Sequence, residues 1–285
     1  MNLVLRPGVP GDAEICGSIC FEAFKAISSE HNFPWDLPSA EVGIELMRGL
    51  LNNPGSHAVV AEVDGRIVGS NFLDERGPIG GIGPITVDPA LQNRGAGRRL
   101  MLALIERAAE QGLAGVRLLQ SAYHNRSLCL YTDLGFDSRE AVSKINGRPL
   151  AIKFSGYDVR EANEADVAKC NELCERVHGH HRGGELRDAI AQGTGCVVEH
   201  LGKITAYTTG IAFFGHTVAA TNQGVMALIG AASAFPGGGF LVPTRNGELF
   251  RWCLRNKLRL VHQMTLMTIG LYNEPAGAYL PSVLY

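Results

Sequence analysis

A repeat constrains this chain more than any other feature. Arg6-Pro7-Gly8-Val9-Pro10-Gly11-Asp12 leads into Cys16 and Cys20, and 154 positions later Arg160-Glu161-Ala162-Asn163-Glu164-Ala165-Asp166 leads into Cys170 and Cys174. The apolar positions follow, with Leu5 against Val159 and Ile19 against Leu173. Each copy reads as a short strand, a turn with Asp as a plausible helix cap, then a helix. Cysteines four apart share one helical face, and with no further ligands nearby they read as core rather than metal ligands. A second echo pairs residues 59–67 with residues 196–204 as apolar run, glycine turn, apolar run, which is a hairpin pattern. Here the shift is 137, so the first copy carries 17 more residues between helix and hairpin. That surplus falls around His31 to Pro54, a segment rich in proline and aromatic residues. Two similarly ordered lobes follow, meeting near residues 147–156.

Length agrees, since 285 residues at about 150 per domain makes two. Hydrophobic residues at 46% and charged residues at 19% suit a folded core. Twenty-six basic against 28 acidic residues leave a charge of −2, too little for a field that draws in nucleic acid or an anionic membrane. The opening MNLVLRPG shows no basic region followed by a long apolar run, so no secretory leader is expected. Residues 225–235 are apolar but too short to span a bilayer and read as core. Seven cysteines without a Cys-x-x-Cys pair point to reduced thiols and a cytoplasmic location. Monomer and homodimer both stay open, and the duplication can form a pseudo-dimer within one chain.

The chemistry concentrates in residues 83–107. Ile85-Thr86-Val87 is strand-prone, Asp88-Pro89 stops it, and Gln92-Asn93-Arg94-Gly95-Ala96-Gly97 precedes an amphipathic helix carrying Met101, Leu104, Ile105 and Ala108 on one face. A strand, a glycine turn and a helix start together form an anion site, with free N–H groups, a partial positive charge and room for close approach. Arg94, Arg98 and Arg99 add charge suited to phosphate. The turn lacks the Gly-Lys-Ser/Thr ending of a P-loop and the Gly-x-Gly-x-x-Gly spacing of a dinucleotide turn.

What this turn resembles is Gln/Arg-x-x-Gly-x-Gly/Ala, the pyrophosphate loop of the GNAT superfamily of N-acetyltransferases, with Gln92, Gly95 and Gly97 at its defining positions. After a further strand at residues 116–120, the stretch Asn125-Arg126-Ser127-Leu128-Cys129-Leu130-Tyr131-Thr132-Asp133-Leu134-Gly135-Phe136 resembles that family's next signature. Ser127 stands one place earlier than the usual small residue. The resemblance covers residues 3–149 and reaches the rest only through the duplication. It implies an α/β fold with a mixed, mostly antiparallel sheet flanked by helices, as two tandem lobes. Residues 1–150 would be the catalytic domain and residues 151–285 a degenerate second copy.

The resemblance further implies acetyl-CoA as co-substrate, no metal, and transfer of the acetyl group to a primary amine of a small molecule or peptide by direct attack. Ile85, Thr86 and Val87 would hold the pantetheine arm. Gln92, Asn93, Arg94, Gly95, Ala96, Gly97 and Arg98 would cradle the pyrophosphate, with Asn125 and Ser127 on the far side. Tyr131 would protonate the departing thiolate. Asp74 and Glu75 are candidate bases, although a surface turn explains them as well. Glu62 is weaker because Glu199 repeats it, and His124 is a further candidate. The second lobe has Val242-Pro243-Thr244-Arg245-Asn246-Gly247-Glu248 where the resemblance would place the pyrophosphate turn, with one glycine and an acidic residue. His178-Gly179-His180-His181 reads as a solvated loop, Gly237-Gly238-Gly239 as a turn, and Phe33-Pro34-Trp35 as a segment near the acceptor. Residues 271–285 read as a docked tail. A non-catalytic acyl-CoA sensor is the alternative; turnover with an amine panel separates the two.

Overall fold

The two arginines at the repeat positions make the same contacts. Arg6 donates from Nε to Glu62 (2.7 Å) and from Nη1 to Asp12 (2.7 Å); Arg160 donates from Nε to Glu199 (2.9 Å) and from Nη1 to Asp166 (2.7 Å). Each aspartate also accepts a backbone N–H, from Val9 or Asn163, and so closes the turn that starts the helix. The arginine hydrogen bonds hold both carboxyls below their usual pKa. Cys16, Cys20, Cys170 and Cys174 are fully buried, as core residues.

The computed structural model describes residues 2–284, so Tyr285 of the docked tail lies outside the described residues. The first copy runs β1 (Leu3–Pro7), α1 (Ala13–Glu30), α2 (Ala40–Asn52), β2 (Ser56–Val63), β3 (Arg66–Asp74), β4 (Ile79–Ile82), β5 (Thr86–Val87), α3 (Ala96–Glu110), β6 (Gly115–Ser121), α4 (Asn125–Asp133) and β7 (Asp137–Asn146). The second runs β8 (Asp158–Glu161), α5 (Val167–His178), α6 (Gly183–Ala191), β9 (Cys196–His200), β10 (Lys203–Thr208), β11 (Thr217–Ala219), α7 (Asn222–Ala231), β12 (Phe240–Pro243), α8 (Gly247–Arg255), β13 (Arg259–Gly270) and β14 (Ala278–Leu280). Within the apolar run at residues 225–235, α7 is buried from Gly224 to Gly230. No helix among the described residues is long and apolar enough to cross a membrane.

The larger sheet has the order β1-β2-β3-β4-β6-β13-β7-β12, with β5 continuing along β3, and the smaller has β14-β11-β10-β9-β8. Only β4 with β6 is parallel among the described pairings, so the sheet is mixed and mostly antiparallel, as expected. The lobe boundary near residue 150 does not divide the sheets. β13, from the second copy, lies between β6 and β7 of the first, and β7 lies between β13 and β12. The cores exchange residues accordingly: Met267 of β13 joins the first lobe's core, and Ile145 of β7 joins the second's.

Element order also corrects the reading of the second lobe. α3 follows β5 and precedes β6, and the helix in the matching place, after β11 and before β12, is α7. The counterpart of the glycine turn is therefore Ala220-Thr221-Asn222, and Thr244 to Asn246 leads into α8, the counterpart of α4. The true counterpart has no glycine pair and no arginine, so nothing in its residue types marked it. β14 pairs with β11 and packs beside β12, filling the place that stays open in the first lobe.

Because Met267 is fully buried in the first lobe's core, Met267→Ala is expected to cost about 2–5 kcal/mol. Calorimetry should show one transition for the whole chain, shifted as a unit. Two separate transitions, with only the second-lobe one moved, would show that the strand exchange does not couple the lobes.

Candidate functional site

A notch opens where strand pairing fails. β4 pairs with β6 as far as Gly81 opposite Arg117, and β5 resumes along β3 with Thr86 opposite Ser70. Between them Pro84 offers no N–H, and three steps of β3 match four of the partner strand, which bends it away. Residues 118–121 of β6 are left without a strand on this side. They face residues 83–87 across a cavity of ≈ 190 Å³. A groove along the starts of α3 and α4 continues it, and Ile85, Gln92, His124, Arg126 and Tyr131 line both parts.

The glycine turn closes the groove. Gly95 has φ +87°, a left-handed value that favours glycine, and it precedes α3 without a side-chain cap. The first N–H groups of α3, on Ala96, Gly97 and Arg98, therefore open the groove with the positive end of the helix dipole. Arg126 holds the turn in shape, donating to Gln92 Oε1 (2.6 Å) and Asn93 Oδ1 (3.2 Å), while Gln92 Nε2 donates to Val87 O (3.1 Å). Arg98 reaches Asp133 (2.5 Å), and Arg94 lines a separate depression with Leu3 and Val68.

Tyr131 sits where groove and cavity meet and is 7% exposed. Burial pushes its pKa well above the ordinary value, so it keeps its proton. Ser127 lines the same junction, donating to His124 O (2.9 Å) and accepting from Gln120 Nε2 (3.1 Å). Burial and the Arg126 charge bring the His124 pKa down to about 4, leaving a neutral imidazole. Thr86 Oγ1, Gln120 Oε1 and His124 Nε2 are buried without a hydrogen bond, three unsatisfied polar atoms around one notch.

The far end of the cavity is built by both lobes. Phe24 and Ile27 of α1, Leu46 of α2 and the loop residues Asp36 and Leu37 come from the first; Phe213, Phe214 and Leu284 come from the second. Burial raises the Asp36 pKa, but His262 Nε2 at 3.4 Å and Lys144 Nζ at 2.7 Å outweigh it and leave the carboxyl below its usual range.

Other expected residues stand elsewhere. Asp74 pairs with Arg76, and Glu75 pairs with Arg107 at 2.8 and 3.0 Å; neither lines the cavity or the groove. Asn125 opens α4 but is exposed and outside both. Phe33 stacks on Tyr123 at 4.4 Å and Trp35 packs on Phe21, so their segment reaches the cavity through Asp36 and Leu37 instead. The histidine run is not a solvated loop: His178 and His180 are buried, while Gly179 and His181 are exposed. Among the described residues no group of three or more His, Cys, Asp or Glu is placed to hold a metal. Arg126, Gln120 and Asp36 escaped the sequence reading. Arg126 was visible only as a charge beside Asn125, while Gln120 and Asp36 depend on contacts distant in sequence.

Comparison with known proteins now bears on this geometry. Residues 21–136 match the acetyltransferase (GNAT) family. A mycothiol acetyltransferase from Nocardia farcinica is 43% identical over 63 residues, which is 22% of this chain and 21% of that relative. The matched stretch therefore spans about a fifth of the relative's length. A protein from Pyrococcus horikoshii superposes with a TM-score of 0.75 at 18% identity, covering 97% of this chain and 94% of that one. A tandem GNAT protein from the clavulanic acid biosynthesis pathway superposes with a TM-score of 0.58 at 14% identity, covering 94% and 98%.

Acid should destabilise the protein through its buried histidines. Burial depresses His124 and His180 to about 4 and His178 further, against an ordinary 6.5. Between pH 6.5 and 4 the unfolded chain binds more protons, so stability is complete above 6.5 and falls as pH drops through that window. The urea midpoint is expected to be lower at pH 4.5 than at pH 7.5, by an amount worth on the order of 2 kcal/mol for each of these histidines. An unchanged midpoint would contradict the neutral, buried state of these side chains.

Proposed function

We propose that the chain is a GNAT protein of two tandem lobes whose first lobe transfers an acetyl group from acetyl-CoA to a primary amine, a reading supported by the family match over residues 21–136 and the shared fold. The observation that carries the reading is Tyr131, protonated and buried at the junction between the glycine-turn groove and the notch. The unsatisfied atoms of Thr86, Gln120 and His124 support it, because a cofactor arm laid in the notch would offer them partners. The N–H groups of Ala96, Gly97 and Arg98 would take the pyrophosphate.

Acetyl-CoA supplies an acetyl group activated as a thioester. The chain's residues do the rest. The notch holds that group within reach of an amine entering from the Asp36 end. An amine attacks only when unprotonated, and at neutral pH a Lys-type amine is mostly charged. His124 lines both parts of the site and its Nε2 has no hydrogen-bond partner, so it is the candidate we favour to relay the amine's proton, in place of Asp74 and Glu75, which pair with arginines. As nitrogen bonds to the acetyl carbon and the carbon–sulfur bond breaks, Tyr131 passes its proton to the sulfur. The second lobe, with β14 in its own notch, serves as one wall of the acceptor end.

Thiol release from acetyl-CoA across a panel of amines tests the reading; binding without release would favour the sensor alternative. Tyr131→Phe is expected to lower kcat about 10²–10⁴-fold while leaving acetyl-CoA affinity unchanged. Unaltered kcat at saturation would remove Tyr131 from the proton transfer. Gly95→Asp should abolish acetyl-CoA binding, since it strains a left-handed position and sets a negative charge against pyrophosphate. Calorimetry that finds wild-type affinity would move the cofactor away from this turn.

A further inference from the structure

We infer that the acceptor is an amine carried on an apolar body that bears no carboxylate, phosphate or sulfate, with its amino group held at Asp36. The inference rests on the acetyl-transfer reading and narrows it to a substrate class.

The acceptor end of the cavity is walled by Phe24, Ile27, Leu46, Phe213, Phe214 and Leu284. Its two ionisable side chains are both carboxylates: Glu30 at the exposed rim and Asp36 within. The one arginine lining the cavity, Arg126, lies at the other end, tied to Gln92 and Asn93. Lys144 is close but buried behind Asp36, with its ammonium on Asp36 Oδ1 and 3.9 Å above the Phe213 ring. An anionic group on the acceptor would therefore lose its water and meet two carboxylates, with the nearest cation, Lys144, already paired to Asp36. An apolar body gains the wall contacts.

Asp36 is equipped to take the amine. Lys144 and His262 both reach Oδ1, while Oδ2 has no hydrogen-bond donor among the described residues. An ionised carboxylate can accept at both oxygens, so Oδ2 has capacity for a substrate N–H. The loop that carries Asp36 is fixed on either side of it. Phe33 stacks on Tyr123, and Leu37 is buried in the core with Met47 and Phe72. The loop belongs to the segment by which the first copy exceeds the second, so this subsite has no counterpart in the other lobe.

Matched pairs of acceptors test this with the whole wild-type protein and acetyl-CoA, thiol release being the readout. Phenethylamine should exceed phenylalanine, and 3-methylbutylamine should exceed leucine, by about tenfold or more in kcat/KM. Phenylalaninamide, which keeps the side chain without the negative charge, should be used better than phenylalanine. Asp36→Asn should raise KM for phenethylamine without changing KM for acetyl-CoA. Since that change leaves Lys144 unpaired, Phe214→Lys gives an independent arm at a residue 37% exposed. It should raise kcat/KM for phenylalanine selectively. Amino acids and amines used equally by the wild type would overturn the inference while leaving acetyl transfer intact. No thiol release with any of them would overturn both.

Discussion

Everything in the site depends on the backbone pairing of β13 with β6. One edge of β6 must stay unpaired from residue 118 to residue 121 for the notch to exist, and an unpaired buried strand is unstable unless its other edge is secured. β13 secures it, from Met264 opposite Ser121 to Gly270 opposite Gly115. It comes from the other half of the chain and pairs with β7 on its far side, so neither half completes its sheet alone. The same exchange seats Met267 in one core and Ile145 in the other. A duplicated chain that shares strands in this way has one sheet running through both copies, a smaller one built by the second alone, and two unequal notches.

The inequality has a physical cause. In the first lobe Pro84 and the bulge turn the strand aside, and the adjoining space stays open beside a glycine turn with free N–H groups. In the second, β14 lies against β11 and beside β12, and α7 begins without a glycine pair. That lobe keeps the Arg160 network and its helix packing, which are properties of folding. What it adds to the site are apolar side chains, Phe213 and Phe214, at the acceptor end. On the proposed reading one lobe holds the chemistry, and both shape what enters.

Sequence patterns made some of this legible. The Arg6–Asp12 and Arg160–Asp166 pairs were readable because each spans six residues of the repeated unit, whereas Glu62 and Glu199, 56 and 39 residues from their arginines, join them only in the fold. The groove was readable for a similar reason: Gln92, Gly95, Gly97 and Tyr131 lie in two compact motifs whose strand, turn and helix context is local. Long-range pairing was not. Nothing in residues 259–270 says that they insert between strands more than a hundred positions earlier, because backbone pairing is indifferent to sequence beyond apolar alternation. Misplacing the second lobe's turn at Thr244 followed from the same blindness. Asp74 and Glu75 drew attention as acidic residues at a strand end, yet Arg76 and Arg107 claim them, and Asp36 reaches the cavity from a loop whose course is set by Phe33 on Tyr123 and by Lys144.

The central claim is that one lobe binds acetyl-CoA at the Gly95 turn while the other is filled by its own chain. A crystal structure of the full chain grown with acetyl-CoA tests it most directly. The expected result is one molecule per chain, with pyrophosphate on the N–H groups of Ala96, Gly97 and Arg98 and the thioester sulfur beside the Tyr131 hydroxyl. A second molecule at Ala220-Thr221-Asn222, or a cofactor bound there alone, would contradict it.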